Sequence, residues 1–203
     1  MQLRYSPTSP YVRKVMATAI ETGLDKEIEK IPTNPWDAAT DLPSDNPIGK
    51  VPALVIDGAR VLFDSPVICE YLDSLHDGAK LYTPSGDARW STLRLQALGD
   101  GILDAAVLRL LEGRRPEERQ SSDWVERQKN VVNRALDTLE NEADGLERDT
   151  AGIGHVTVGC ALGYLDFRFP NDDWRRGRPK LTQWYEKFSQ RASMKETVPK
   201  DPA

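Results

Sequence analysis

The chain has 203 residues, of which 39% fall in the hydrophobic set and 29% are charged, with a formal net charge of −5. That length allows one large domain or two small ones, and the balance suits a folded globular chain rather than a disordered one. The acidic surplus offers no general attraction for nucleic acid, and no run of about 18 apolar residues offers a membrane span.

Met1 leads straight into Leu3-Arg4-Tyr5 with no charged-then-apolar leader, so no secretion signal is expected. Gln2 to Tyr5 reads as a first strand. Ser6-Pro7-Thr8-Ser9-Pro10 is a loop. The apolar positions Val12, Val15, Met16, Ala19 and Ile20 then recur at helical spacing through Glu21. Ser9 suits the cap of that helix, Pro10 its first position and Gly23 its end. Glu27 to Ile31 alternates and reads as a second strand. Pro32 to Ser44 is irregular, with a short helix expected from Trp36 to Thr40.

The segment from Asn46 to Pro66, NPIGKVPALVIDGARVLFDSP, carries the densest signal. Ala53 to Ile56 is a short apolar run fit for a buried strand. Asp57-Gly58 suits a two-residue type I′ hairpin turn, because both central residues need positive φ. Arg60 to Phe63 supplies the return strand. Ser65 can cap the next helix, with Pro66 at its first position. Two ligand features follow. A cis bond at Pro52 would turn the N–H and C=O of Val51 sideways, free to pair with an extended ligand. The amides around Ser65 would suit a carboxylate. Each residue also has a plain structural use: Pro52 shapes a turn and Ser65 caps a helix.

The strand and helix order is βαβ followed by ββα. The first pair should be parallel and the hairpin antiparallel, which describes a mixed four-stranded, thioredoxin-like α/β domain. His76 to Asp87 lacks periodicity and holds Gly78, Pro84 and Gly86, so it reads as a linker. Residues 1–76 form the first expected domain, 77–86 the linker and 87–203 an all-helical domain. One apolar stripe runs from Leu93 to Leu108. A second amphipathic pattern runs from Val125 to Leu146. Ile153 to Phe169 is apolar nearly all round and should be the buried centre, with Gly159 and Gly163 allowing close approach. Pro179 to Arg191 is a last helix, and the tail from Ala192 is expected to fray. Cys69 and Cys160 have neither CxxC nor metal spacing, which argues for a reducing compartment and against a disulfide scaffold or zinc site.

The motifs SPTSPYVRKV, NPIGKVPAL and FDSPVICEYLD, in this order and spacing, resemble the cytosolic glutathione S-transferases. The resemblance spans the chain. GCALGYLDFR is similar to the core helix of one bacterial, serine-type subgroup. The resemblance implies the glutathione S-transferase fold, a cytoplasmic homodimer and a detoxifying enzyme with glutathione as co-substrate. It implies Ser9 as the residue facing the glutathione sulfur. A free thiol titrates near about 8.5 and is only a few per cent thiolate at neutral pH. A hydroxyl donated from Ser9 at a helix N-terminus would stabilise the anion; Thr8 and Ser6 are nearby alternatives. By position, Val51 beside cis Pro52 would hold the cysteinyl backbone, and Asp64 and Ser65 the γ-glutamyl end. Lys50 would reach the glycyl carboxylate or remain a solvated surface residue. Asp100 or Asp104 of a partner subunit would complete the γ-glutamyl site. The co-substrate, a small electrophile or peroxide, would sit between the domains near Leu108 to Leu111. A non-catalytic binding module and a glutathione-dependent reductase are the alternatives. One departure is the start of the core helix, where Gly152-Ile153-Gly154-His155 lacks the usual hydroxyl cap; Thr150 is a candidate substitute and His155 reads as structural.

Overall fold

The computed structural model describes residues 1–58, 60–147 and 150–201. They form two compact units, Met1–Tyr82 with the residues from Ala192 on, and Thr83–Arg191.

In the first unit, β1 (Gln2–Tyr5) leads through the Ser6–Ser9 loop into α1 (Pro10–Glu21), then to β2 (Glu29–Pro32) and a short α2 (Leu42–Asp45). The hairpin strands β3 (Leu54–Val55) and β4 (Val61–Leu62) follow, then α3 (Ser65–Ser74). The sheet order is β2-β1-β3-β4, with β1 parallel to β2 and antiparallel to β3, and β3 antiparallel to β4. This is the expected mixed sheet. Leu3 and Leu54 meet in register at its centre, both fully buried. Helix α1 packs on α3, and Val12, Val15 and Ala19 of the first and Ile68 and Leu72 of the second are buried. Each such large side chain contributes about 1.5–3 kcal/mol on burial.

Two local expectations change. The short helix lies at Leu42–Asp45, not Trp36–Thr40. Arg4 fixes it there, reaching out of β1 to both Asp41 oxygens at 2.9 and 3.0 Å and to Asp45 at 2.5 Å. The hairpin does not close directly after Gly58: Ile56 N donates to Arg60 O at 2.9 Å, so pairing resumes at Arg60. Gly58 has φ of 81°, while Asp57 is not among the positive-φ residues and instead accepts the Arg60 N–H at 3.1 Å. Ala59 lies outside the described residues.

The segment after α3 is gathered by one carboxylate. Asp73, 4% exposed, accepts the N–H of Leu81 at 2.8 Å and of Tyr82 at 3.0 Å, and its Oδ1 lies 3.1 Å from His76 Nε2.

In the second unit, α4 (Gly86–Glu112), α5 (Ser122–Asn141), α6 (Ile153–Arg168) and α7 (Pro179–Phe188) surround a core in which α6 is central. Residues from Ile153 to Leu165 are buried without interruption. The close approach between α4 and α6 falls at Gly99 and Gly154. A Cβ on Gly99 would lie 2.8 Å from Thr157 Cγ2, and one on Gly154 would lie 2.7 Å from Leu95 Cβ. The start of α6 is capped from inside: His155 Nδ1 accepts the Gly152 N–H at 3.0 Å. That bond makes Nδ1 an acceptor, and it takes the role expected of Thr150.

The tail differs most from expectation. Residues Ala192–Glu196 form α8, which packs on α1 and groups with the first unit, not with the 87–203 segment. Ser193 and Met194 are each 1% exposed. The physical reason lies on α1. Arg13 donates to Met194 O at 3.2 Å and to Thr197 Oγ1 at 3.4 Å, and Ser193 Oγ bonds the Glu21 carboxylate.

Candidate functional site

The candidate site is built in the first unit from three backbone features: the start of α1, the turn before β3 and the start of α3. Ser9 is the N-cap of α1. Its backbone is extended, its Oγ accepts the Val12 N–H at 3.3 Å, and its carbonyl accepts the Arg13 N–H at 3.0 Å. A hydroxyl has one proton and two lone pairs. The cap uses a lone pair, so the Ser9 proton remains available to donate. The neighbouring hydroxyls of Ser6 and Thr8 lie 3.4 Å from each other.

The bond between Val51 and Pro52 is cis, as expected. Pro52 is buried and Val51 is 8% exposed. Among the described residues, no partner within the chain meets the Val51 N–H or C=O. One residue on, pairing resumes, with Arg4 N donating to Ala53 O at 2.9 Å. The loop that presents Val51 is fixed by Asn46, which sequence reasoning passed over. Asn46 is 3% exposed; its Nδ2 donates to Lys50 O at 2.7 Å and its Oδ1 accepts the Ile48 N–H at 3.0 Å. Gly49 turns the loop with φ of 68°. The signal available in sequence was Asn-Pro-x-Gly, a turn pattern whose side chain bonds its own backbone. Lys50 is exposed, and its carbonyl is tied down by Asn46.

At the start of α3 the roles of two residues exchange. The cap is Asp64, not Ser65: the Asp64 carboxylate accepts the Ser65 N–H, and Ser65 is the first helical residue. The Phe63–Asp64 bond is also cis. Pro66 has no N–H, and Ile68 N donates to Asp64 O at 3.0 Å. This leaves the Val67 N–H as the open amide of the first turn, on a residue 48% exposed. The Ser65 hydroxyl is fully enclosed and has no hydrogen-bond partner. An enclosed hydroxyl without a partner costs about 1–3 kcal/mol, so this hydroxyl does not stabilise the fold.

Arg13, also absent from the expected site, lies one turn beyond Ser9 and is 7% exposed. Cys69, read as a core residue, is one: it is fully buried and accepts a bond from Thr18 Oγ1 at 3.3 Å. Among the described residues no group of His, Cys, Asp and Glu could hold a metal ion, and no helix is long and apolar enough to cross a membrane.

Residues 8–75 match the family model of the glutathione S-transferase N-terminal domain, and residues 122–187 that of the C-terminal domain. The chain is 36% identical over 201 residues to an uncharacterized GST-like protein, YibF, of Escherichia coli K12, covering 98% of each. A glutathione transferase family member from Pseudomonas fluorescens Pf-5 has been solved with bound glutathione and with bound S-(propanoic acid)-glutathione. The first superposes with a TM-score of 0.92 at 44% identity, covering 98% of this chain and 99% of that one. The second gives 0.91 at 42% identity, covering 99% and 100%.

Proposed function

The chain belongs to the glutathione S-transferase family, and from that premise we propose that it is a cytoplasmic, homodimeric glutathione transferase. Glutathione lies extended beside Pro52. Its cysteinyl backbone pairs with the N–H and C=O of Val51. Its γ-glutamyl carboxylate takes the Val67 amide and the Ser65 hydroxyl, while Asp64 turns from the Ser65 N–H to the ligand's ammonium. Lys50 reaches the glycyl carboxylate, and Asp100 or Asp104 of a second subunit completes the γ-glutamyl end.

The observation that carries the reading is the spare proton on Ser9, whose cap bond uses only a lone pair. Donated to sulfur, it stabilises thiolate over thiol. The thiol proton leaves to solvent, the thiolate attacks an electrophilic carbon, a C–S bond forms and the leaving group departs. Ser9 is a donor throughout and forms no covalent bond. The relative solved with S-(propanoic acid)-glutathione supports conjugation, because that ligand's sulfur already carries carbon.

Calorimetry with glutathione tests the binding half. The native chain should bind, and Ser65→Ala should bind about tenfold more weakly, the worth of one good hydrogen bond. Ser9→Ala should bind nearly as well as the native chain while the bound thiol titrates higher. A native chain that ignores glutathione would be a binding module. Turnover of disulfides or peroxides but not of carbon electrophiles would make it a reductase.

A further inference from the structure

The first turn of α6, the buried centre of its unit, is closed by a group that titrates. Its N-cap is Gly152, which has no side chain to accept the amides of the turn. The entry is closed from the other direction. His155 Nδ1 accepts the Gly152 N–H at 3.0 Å, while the Gly152 carbonyl accepts the N–H groups of His155 and Val156 at 3.0 and 3.2 Å. An imidazole accepts at one nitrogen only while neutral, and its proton then sits on the other. The bond to Gly152 therefore requires a neutral ring with its proton on Nε2. A second proton would go to Nδ1 and face the Gly152 N–H. The cap bond and the charged ring exclude one another.

The surroundings give the ring little room to turn aside. His155 is 8% exposed and lies 6.4 Å from the Trp184 ring, whose own Nε1 donates to Leu146 O at 3.1 Å. The next residue, Gly154, is pressed against Leu95 of α4. A positive charge in the first turn of a helix also opposes the helix dipole. Arg94 of α4 and Glu142 just beyond α5 line the same cavity as His155 and bond each other, so the guanidinium offsets the carboxylate. Around them, Glu140 of α5 accepts the Lys180 and Leu181 N–H groups, Asp144 pairs with Lys180 and Glu147 with Lys187. Glu186 of α7 is exposed, Asp172 pairs with Arg109, and Asp166 and Arg168 lie at the far end of α6. We propose that His155 is a pH-sensitive latch on the seam between α4 and α6. Neutral, it holds the first turn of α6 closed; protonated, it releases Gly152 and that turn opens. In the unfolded chain an imidazole takes its second proton near about pH 6.5. Below that pH the unfolded chain binds a proton that the closed cap refuses. The stability the cap contributes is therefore full above that pH and is lost as pH falls through it.

Urea unfolding of the native chain and of H155N, each at pH 7.5 and 5.5, reads the latch. The asparagine oxygen can stand in for Nδ1 as acceptor and does not titrate. His76, the chain's other histidine, is the same in both. From pH 7.5 to 5.5 the native midpoint should fall by about 0.5 M more than that of H155N, the loss of one cap bond at an ordinary urea slope. Over the same interval the Gly152 amide of the native chain, followed by hydrogen exchange and corrected for its intrinsic pH dependence, should lose about tenfold of its protection. Equal falls in the two midpoints would overturn the proposal, as would unchanged protection at Gly152. If H155N has no cooperative transition, the nitrogen NMR spectrum of the native ring decides. A proton on Nδ1 at pH 7.5 overturns the latch. A proton on Nε2 alone, joined by a second as Gly152 loses protection, upholds it. Glutathione is in none of these samples, so the outcome is independent of the proposed activity.

Discussion

Replacing Gly99 and Gly101 by alanine, one at a time, opposes two effects within a single helix. Both glycines lie in the interior of α4. In either place alanine gains helix propensity, about 1 kcal/mol. At Gly101 a Cβ meets nothing within 4 Å, so that gain stands alone. At Gly99 the new Cβ lies 2.8 Å from Thr157 Cγ2 and 3.1 Å from the backbone carbon of Thr157 and the nitrogen of Val158. Normal carbon contacts are about 3.5–4.0 Å. The threonine methyl can rotate, but the two backbone atoms belong to α6 and can only retreat with it. Over-packing of this kind costs about 1–3 kcal/mol, which exceeds the propensity gain. Gly101→Ala should therefore stabilise by about 0.5–1 kcal/mol, and Gly99→Ala should destabilise by about 1–2 kcal/mol. For a chain of this size that separates their melting temperatures by roughly 5–10 °C. Thermal unfolding followed by circular dichroism reads it, with both changes in the same unit and the same transition. Two shifts of the same sign would refute the close-approach argument.

The remaining expectations are briefer. Asp73→Asn should destabilise by about 2–4 kcal/mol, because the amide nitrogen would confront either the Leu81 or the Tyr82 N–H; an unchanged urea midpoint would show that the segment does not depend on the carboxylate. Ser65→Ala, without glutathione, should raise stability by about 1 kcal/mol by removing an enclosed hydroxyl that has no partner. A drop in melting temperature would mean the hydroxyl is bonded in solution. The Arg109 guanidinium holds the Asp172 carboxyl below its ordinary range. Its contribution is thus full above the unfolded carboxyl's pKa and lost as pH falls through the lower folded value. In Arg109→Ala the Asp172 midpoint, followed by NMR, should return upward; an unmoved midpoint would sink the pairing.

Much of the fold was legible because period and punctuation agreed. Ser9-Pro10 and Gly23 bracket α1 to within a residue. The unbroken apolar run gave α6 as the buried centre. What failed depended on atoms distant in sequence. The helix at Leu42–Asp45 was invisible because Arg4, some forty residues earlier, anchors it. The hairpin closes on Ile56 and Arg60 because strand register, not the Asp-Gly pair, sets where pairing resumes. At the candidate site, Ser9 and the cis bond at Pro52 were readable from hydroxyl-proline and X-Pro signals. The exchange of Asp64 for Ser65 as cap was not, since both suit the position and only side-chain direction decides. Arg13 escaped for a related reason: nothing in a lone arginine on a helix says that the chain's far end will enclose it.

The docking of α8 on α1 makes the first unit discontinuous in sequence. A ribosome delivers residues 1–82 long before residues 192–197. Through most of synthesis α1 must therefore wait with Arg13 hydrated and the Met194 site open to water. Closure of the first unit therefore waits for residues 192–197 and cannot be completed by residues 1–82 alone.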